Sequence, residues 1–534
     1  MFVRLLPLLL LIGAQEPPAP AAPIGFDDES VIDHLITGRT FIDLPPGRPG
    51  SSRVPVAVTI SAAGEVVDAA ATEGGPAEDR ALAVAAAREW RFRPFTYRGR
   101  PVAAHGTLLV RFMPSGDEPD SAAAFPPVDL ATLRITLTRV MGRSTYRITI
   151  DGAGNTLFTS NARPLTPAPG SIEPRSIGWT LVPGEHRGRL APAAMERLVE
   201  RFRRAHFFGL RPSYTGAAPE AVRTVLTFET GGRSFTVTYD LGLVAGHPRG
   251  LGAIGYAIED AVGAERWDTG NAETIGALRA EGFDPGSGEA VQLAARAGLR
   301  RADRLVVDLI EAGLPLDRPL RLNRGGGATL APLGEHLLLL AAEHGRPLTF
   351  AALVARGWAA RTPRARLSEA FAAGGGGCDP AMARAIVAAG ADPMGRTRRG
   401  GGMSRPGATA LMVALQPYLP CNPDKRWSLI PALLRLGVDV NARDAAGRTA
   451  LYGVQNAGVV EQLLALGALA RVRDHEGLSP LFYADAERVR LALLDAGAPT
   501  DGWSRGPGGN TLREIARLEN MPTLLERLGG RPQH

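Results

Sequence analysis

Apolar and polar positions alternate early in the chain. Val56, Val58 and Ile60 are separated by small or polar residues, the spacing of a half-buried strand, and Ala63-Gly64 supplies the turn that follows. From Glu78 to Arg91 the period changes: Leu82, Val84, Ala85 and Trp90 oppose Asp79, Arg80, Arg88 and Glu89, which predicts a helix that Pro94 stops. A strand through Thr107 to Phe112 closes this region. Alternation returns where Leu133, Ile135 and Leu137 interleave with Arg134, Thr136 and Thr138, and where Tyr146, Ile148 and Ile150 precede Asp151-Gly152, which together predict a hairpin. Met195, Leu198, Val199 and Phe202 form one stripe of a helix from about Pro192 to Phe208. Two strands, Val225 to Phe228 and Phe235 to Tyr239, and a helix over Gly246 to Val262 complete a second α+β region.

From about Thr269 the pattern becomes helical and repeats. Leu433-Leu434-Arg435-Leu436-Gly437, Leu463-Leu464-Ala465-Leu466-Gly467 and Leu493-Leu494-Asp495-Ala496-Gly497 place their glycines thirty residues apart, and Ile386 to Asp392, with Gly390, adds an earlier unit. Glycine at each position accepts the left-handed conformation that ends a helix, and Thr409, Thr449, Ser479 and Thr511 stand where a hydroxyl caps the next one. A unit of this size cannot bury its own apolar face, so several must stack. The glycine runs at 325–327, 374–377 and 400–402 read as flexible inserts. The expected fold class is therefore multidomain, two small α+β domains (27–115 and 126–268) followed by an all-α repeat solenoid over 269–531.

Three resemblances attach to these segments. Val56 to Ile60, Gly64 to Val67, the stretch Trp90-Arg91-Phe92-Arg93-Pro94, Gly99 to Val102 and the strand Leu108 to Phe112 resemble the C-terminal domain of TonB-type proteins, with Trp90, Phe92 and Pro94 as the motif. That resemblance implies recognition of an outer-membrane transporter by strand addition at a sheet edge, which needs no catalytic side chain. A true energy transducer carries a long periplasm-spanning linker and has this domain at its end. Here residues 15–23 reach only about 30 Å when fully extended, and most of the chain follows the domain. Arg134 to Arg139, Tyr146 to Gly154 and Phe207-Phe208-Gly209-Leu210 are similar to an uncharacterised bacterial envelope domain. That family often has Cys-Pro before the tyrosine, whereas this chain has Arg143-Ser144-Thr145. The thirty-residue units resemble ankyrin repeats, which implies an all-α array that binds proteins.

At the N-terminus Arg4, the apolar run Leu5 to Ile12 and the small pair Gly13-Ala14 read as a signal peptide over 1–14, followed by a Pro/Ala-rich linker over 15–26. The expectation is export to the periplasm with no membrane span in the mature chain, an uncleaved anchor being the alternative. The run falls well short of the roughly 20 residues of a spanning helix. In an exported chain the two cysteines, Cys378 and Cys421, either pair or remain as two buried thiols.

A net charge of +6 over 534 residues is small, and its densest clusters, Arg203-Arg204, Arg300-Arg301 and Arg396 to Arg399, lack interleaved aromatics, which argues against a nucleic-acid partner. No GxSxG elbow, Walker A sequence, HExxH or CxxC is present. His336 and His344 lie two helical turns apart without a third converging ligand, and Asp439, Asn441 and Asp444 read as turn formers rather than a calcium loop. No catalytic residue, metal site or cofactor is expected. The reading is a periplasmic adaptor or scaffold, not an enzyme, whose partners are one or more envelope proteins. Its alternatives are an accessory of TonB-dependent transport and an enzyme with its site in the middle domain.

Overall fold

The structure is a computed structural model. It describes residues 24–25, 35–37, 41–44, 52–71, 74–97, 100–114, 119–141, 144–161, 180–215, 222–241, 249–300, 302–323, 328–398, 405–416, 423–504, 509–519 and 521–529. The expected signal peptide and most of the linker lie outside these residues, as do the glycine runs at 325–327 and 400–402. The chain divides into two compact units, one of residues 1–42 and 52–111, the other of residues 43–51 and 112–534.

In the first unit β1 (Ser52–Ile60) pairs antiparallel with β2 (Val66–Ala70), placing Val58 opposite Ala69. Val54, Val56, Val58 and Ile60 all face the core, as period-two alternation requires. Helix α1 (Ala77–Arg88) lies on β1 and β2. It buries Ala83, Ala87 and also Asp79, expected on the polar face, while Leu82, expected to face inward, is exposed. Small side chains bring this helix close to the sheet, and the large apolar payload is supplied by Trp90, Phe92 and Phe95 instead. Strand β3 (Ala104–Pro114) stands between the short strand Ile24–Gly25 and β1, so β2 ends the sheet order.

The second unit begins with a seven-stranded sheet. Its strands are β4 (Arg134–Met141), β5 (Ser144–Asp151), β6 (Asn155–Ser160), β7 (Gly184–Arg189), β8 (Ser213–Tyr214), β9 (Val222–Thr230) and β10 (Arg233–Leu241), in the order β7-β6-β5-β4-β9-β10-β8. Neighbours are antiparallel except β8 with β10. Helix α2 (Pro192–Arg204) buries Met195, Leu198, Val199 and Phe202, and Phe202 joins Phe207, Phe208, Phe228, Phe235 and Phe125 in one aromatic cluster with ring centroids 4.8 to 6.0 Å apart. Helix α3 (Arg249–Val262) lies beside α2.

One apolar core runs from Leu133 through Leu512, so residues 126–268 and the helical region after them share it. In that later region α4 (Asp303–Glu311) precedes a β-hairpin, β11 (Pro319–Asn323) and β12 (Ala328–Pro332), which leads into the buried helix α5 (Leu333–His344). The repeated helices are α6 (Pro380–Ala388), α8 (Pro423–Arg435), α9 (Ala457–Ala465), α10 (Glu487–Asp495) and α11 (Leu512–Leu518), with the five-residue α7 (Ala410–Ala414) between the first two. Among the described residues no helix is long and apolar enough to cross a membrane.

The all-α solenoid expected for 269–531 is overturned. The hairpin β11–β12 is built into this region, and the leading members of two pairs are single 3-10 turns, Ala450–Gly453 and Pro480–Phe482. A thirty-residue period leaves room for one full helix and a turn, so the shorter member contracts. The run 374–377 is likewise no flexible insert: Gly375, Gly376 and Gly377 are buried at φ of 56°, 69° and 72°. A Cβ on Gly375 would lie 2.9 Å from the Ala414 nitrogen.

Gly467 and Gly375 separate two costs of an added side chain. Gly467 holds φ at 94° with open space around it, so Gly467→Ala should cost about 1–2 kcal/mol of backbone strain. Gly375→Ala adds a main-chain clash and should cost roughly 3 kcal/mol or more. Urea unfolding of both variants measures the difference, and equal losses would contradict it.

Candidate functional site

The repeated turns are stitched by side chains that bond to their main chain. In the turn after α8, Asp444 Oδ1 accepts from the nitrogens of Ala446 and Arg448 at 2.8 and 2.9 Å. In the next turn Asp474 Oδ1 accepts from Glu476 and Leu478, both at 3.0 Å. Each aspartate also closes its turn through its own nitrogen, to Arg448 O and Leu478 O at 2.9 Å. Consecutive turns touch directly: Ala445 N donates to Pro406 O at 3.0 Å and His475 N to Ala446 O at 2.9 Å. Asn441 bridges further, its Nδ2 donating to Gly467 O and its Oδ1 accepting from Leu469 N.

Arginine completes the stitching. Arg443 Nη1 donates to Gly447 O in its own turn at 3.0 Å and to Arg473 O in the next at 2.8 Å. Arg473 Nη1 repeats this with Gly477 O and Asp501 O at 2.6 and 3.2 Å, and Arg396 Nη1 with Gly407 O at 2.9 Å and with Arg443 O. Beneath the turns Arg448 lies over the Tyr483 ring, 3.4 Å from Asp474 Oδ2, to which the Tyr483 hydroxyl donates at 2.6 Å. Beyond this framework His475 and Glu476 stand exposed at one tip, and Trp503 is 67% exposed in the following turn.

Gly390, Gly437, Gly467 and Gly497 have φ of 106°, 101°, 94° and 80°, and the residue after each donates back to the helix, as Ala468 N does to Leu463 O at 2.9 Å. The hydroxyl caps need correction. Thr409, Thr449 and Ser479 hold N-cap positions without a capping side-chain bond. They are buried, and Ser479 donates instead to Pro499 O at 2.5 Å. Only Thr511, of these four, forms a cap, a reciprocal box with Glu514. Trp90 and Phe92 are core residues in edge contact at 6.4 Å, and Pro94 is exposed. Cys378 is disulfide-bonded, and Cys421 lies outside the described residues. His336 is buried and donates from Nε2 to Leu320 O at 2.8 Å. Among the described residues no group of three or more His, Cys, Asp or Glu could hold a metal ion.

A second polar centre leaves no local signal in the sequence, because its members lie up to 120 residues apart. Arg139 on β4 is 2% exposed and grips Glu259 of α3 through Nε and Nη2 at 2.7 and 3.0 Å, while its Nη1 donates to Thr224 on β9 at 2.7 Å. The Tyr146 hydroxyl donates to the same carboxylate. Burial, then the Glu259 charge, drives the Tyr146 hydroxyl far above its ordinary range. Burial opposes the charge on Arg139, but Glu259 outweighs it and holds the guanidinium protonated. His186 on β7 stacks on Trp267 at 3.9 Å and places Nδ1 2.7 Å from Glu281. The centre binds helix to sheet, with Arg139, Glu259, Tyr146 and Thr224 engaged with one another.

No family model matches the chain, and no curated protein matches it.

Two outcomes follow from the buried pair. Glu259→Leu leaves Arg139 uncompensated and should cost about 3–5 kcal/mol, whereas Arg139→Met with Glu259→Leu should recover most of that loss. Urea unfolding of the single and double variants decides it, and additive losses would refute the coupling. Burial raises the carboxyl of Asp268 above its ordinary 3.8, against the opposing pull of Arg300. The folded state therefore binds this proton more tightly than the unfolded chain, and the contribution is lost as pH rises through the raised value. Stability measured from pH 4 to 7 should fall less with pH in Asp268→Asn than in the parent, and parallel profiles would exclude the effect.

Proposed function

We propose that the chain is an adaptor of the cell envelope that binds a protein through its stack of turns. The observation that carries this reading is the turn-to-turn bonding by Arg396, Arg443, Arg473 and Asn441. It ties consecutive turns together through their main chain and leaves the tips, with His475, Glu476 and Trp503, facing solvent. Rigid presentation of exposed side chains lowers the entropic cost of binding. The resemblance of the thirty-residue units to ankyrin repeats agrees with such a role, and the reading of residues 1–14 as a signal peptide supports the periplasm as its location.

A second reading, an accessory of TonB-dependent transport, draws on the first unit. Strand β2 ends its sheet order and Val67 on it is 63% exposed, so the edge offers main-chain groups for strand addition.

One experiment separates the two. A photo-crosslinking residue is placed at His475, at Val67, or at Arg197 on α2 as a control, in the full chain expressed in the envelope. The adaptor reading expects adducts from position 475 above the control. Adducts from position 67 alone favour the transport reading, and none above the control at 475 overturns the adaptor.

A further inference from the structure

Three arginines stand in register on the turn stack, and one of them already holds a carboxylate. Each spends Nη1 on two main-chain carbonyls, which fixes the guanidinium plane. At Arg473 the second terminal nitrogen, Nη2, then binds Asp501 Oδ1 at 2.5 Å, and that aspartate is itself 82% exposed. Arg396 and Arg443 repeat the carbonyl clamp and are exposed, yet neither meets a carboxylate among the described residues. Among the described residues the turn stack thus displays one carboxylate-bearing example of a clamp that recurs at Arg396 and Arg443.

We propose that Arg396 and Arg443 form a docking row for an acidic protein segment, whose Asp or Glu side chains take the place at these two arginines that Asp501 takes at Arg473. The inference rests on the adaptor reading and names the chemistry of its partner. A guanidinium presents a rigid fork that suits a carboxylate, and here two main-chain bonds have already removed much of its rotational freedom, so little more is lost on binding. Nucleic acid fits the row less well: the turns around Arg396 and Arg443 contain Gly395, Thr397, Ala445, Ala446 and Gly447 and no aromatic residue on which a base could stack.

The test is fluorescence anisotropy of a labelled glutamate homopeptide with the full-length protein. Arg396→Gln with Arg443→Gln should weaken binding about tenfold, two exposed pairs' worth. Arg197→Gln with Arg201→Gln on α2 makes the same change in net charge and should leave binding unaltered. Asp501→Asn releases Arg473 and should tighten binding, which keeps the proposal testable even if the double variant fails to fold. Added salt should weaken all of these complexes. The row is refuted if the α2 control weakens binding as much as the row variant, if Asp501→Asn leaves the affinity unchanged, or if an oligonucleotide of equal charge depends more strongly on the row than the peptide does. Failure of the unaltered protein to bind the peptide, with crosslinking at position 475 intact, would sink the acidic partner and leave the adaptor standing.

Discussion

Main-chain carbonyls set the terms for the C-terminal region. Helices α6, α8, α9 and α10 end on a glycine of positive φ, and the chain then crosses through a tight turn whose carbonyls no helix or sheet ladder can satisfy. Arginine supplies the missing donors, because one planar guanidinium reaches a carbonyl in its own turn and another in the next. Asp444 and Asp474 satisfy the nitrogens of the same turns, so donors and acceptors are answered by separate residues on a fixed template. Underneath, Leu433, Leu463 and Leu493 are fully buried in the common core, where each helix relies on its neighbours to cover its apolar side. The polar stitching sets the register, and burial supplies the larger part of the stabilisation.

What the sequence disclosed follows the same division. Glycines at 437, 467 and 497 were legible because a left-handed helix end excludes most other residues, so geometry leaves a mark at a fixed spacing. Strand alternation at Val56 to Ile60 and Leu133 to Leu137 was legible because one face of each strand must be apolar. The hairpin β11–β12 was not: its strands are five residues long, carry proline at an outer end, and flank a glycine-rich run that reads as a loop. The capping role given to Thr409, Thr449 and Ser479 failed for a different reason. A threonine before a helix looks the same whether its hydroxyl faces the helix nitrogens or is driven into the core, and stacking drove these inward. Leu82 and Ala83 in α1 show how packing distance can overrule hydrophobicity, since the smaller residue faces the sheet.

The candidate surfaces were less legible than the fold. Arg139 and Glu259 are separated by 120 positions, and nothing local marks either as a partner. Arg443 and Arg473 share a spacing with the glycines, and that periodicity was the available clue. It was masked because arginine supplies most of the positive charge throughout this chain and each one reads as a solvated side chain. The mixed architecture also constrains function. Because the seven-stranded sheet and the repeats share one core, the turn stack is anchored by more than its own helices. Charge on the buried Arg139 centre carries a desolvation cost that an apolar replacement of similar volume would avoid.

An arginine that is already half used offers a route from stability to recognition. A free surface arginine pays side-chain entropy when it pairs, which is why most exposed ion pairs contribute little. Arg443 and Arg396 have paid that cost in forming their turns, so a carboxylate arriving at either meets a donor already oriented. The same economy limits what the row can do: each clamped guanidinium has its direction set by the carbonyls it holds, so it cannot swing to follow a poorly matched partner. Fixed donors select spacing as well as charge, and the repeat that sets the distance from one turn to the next thereby sets the distance between carboxylates that can dock together.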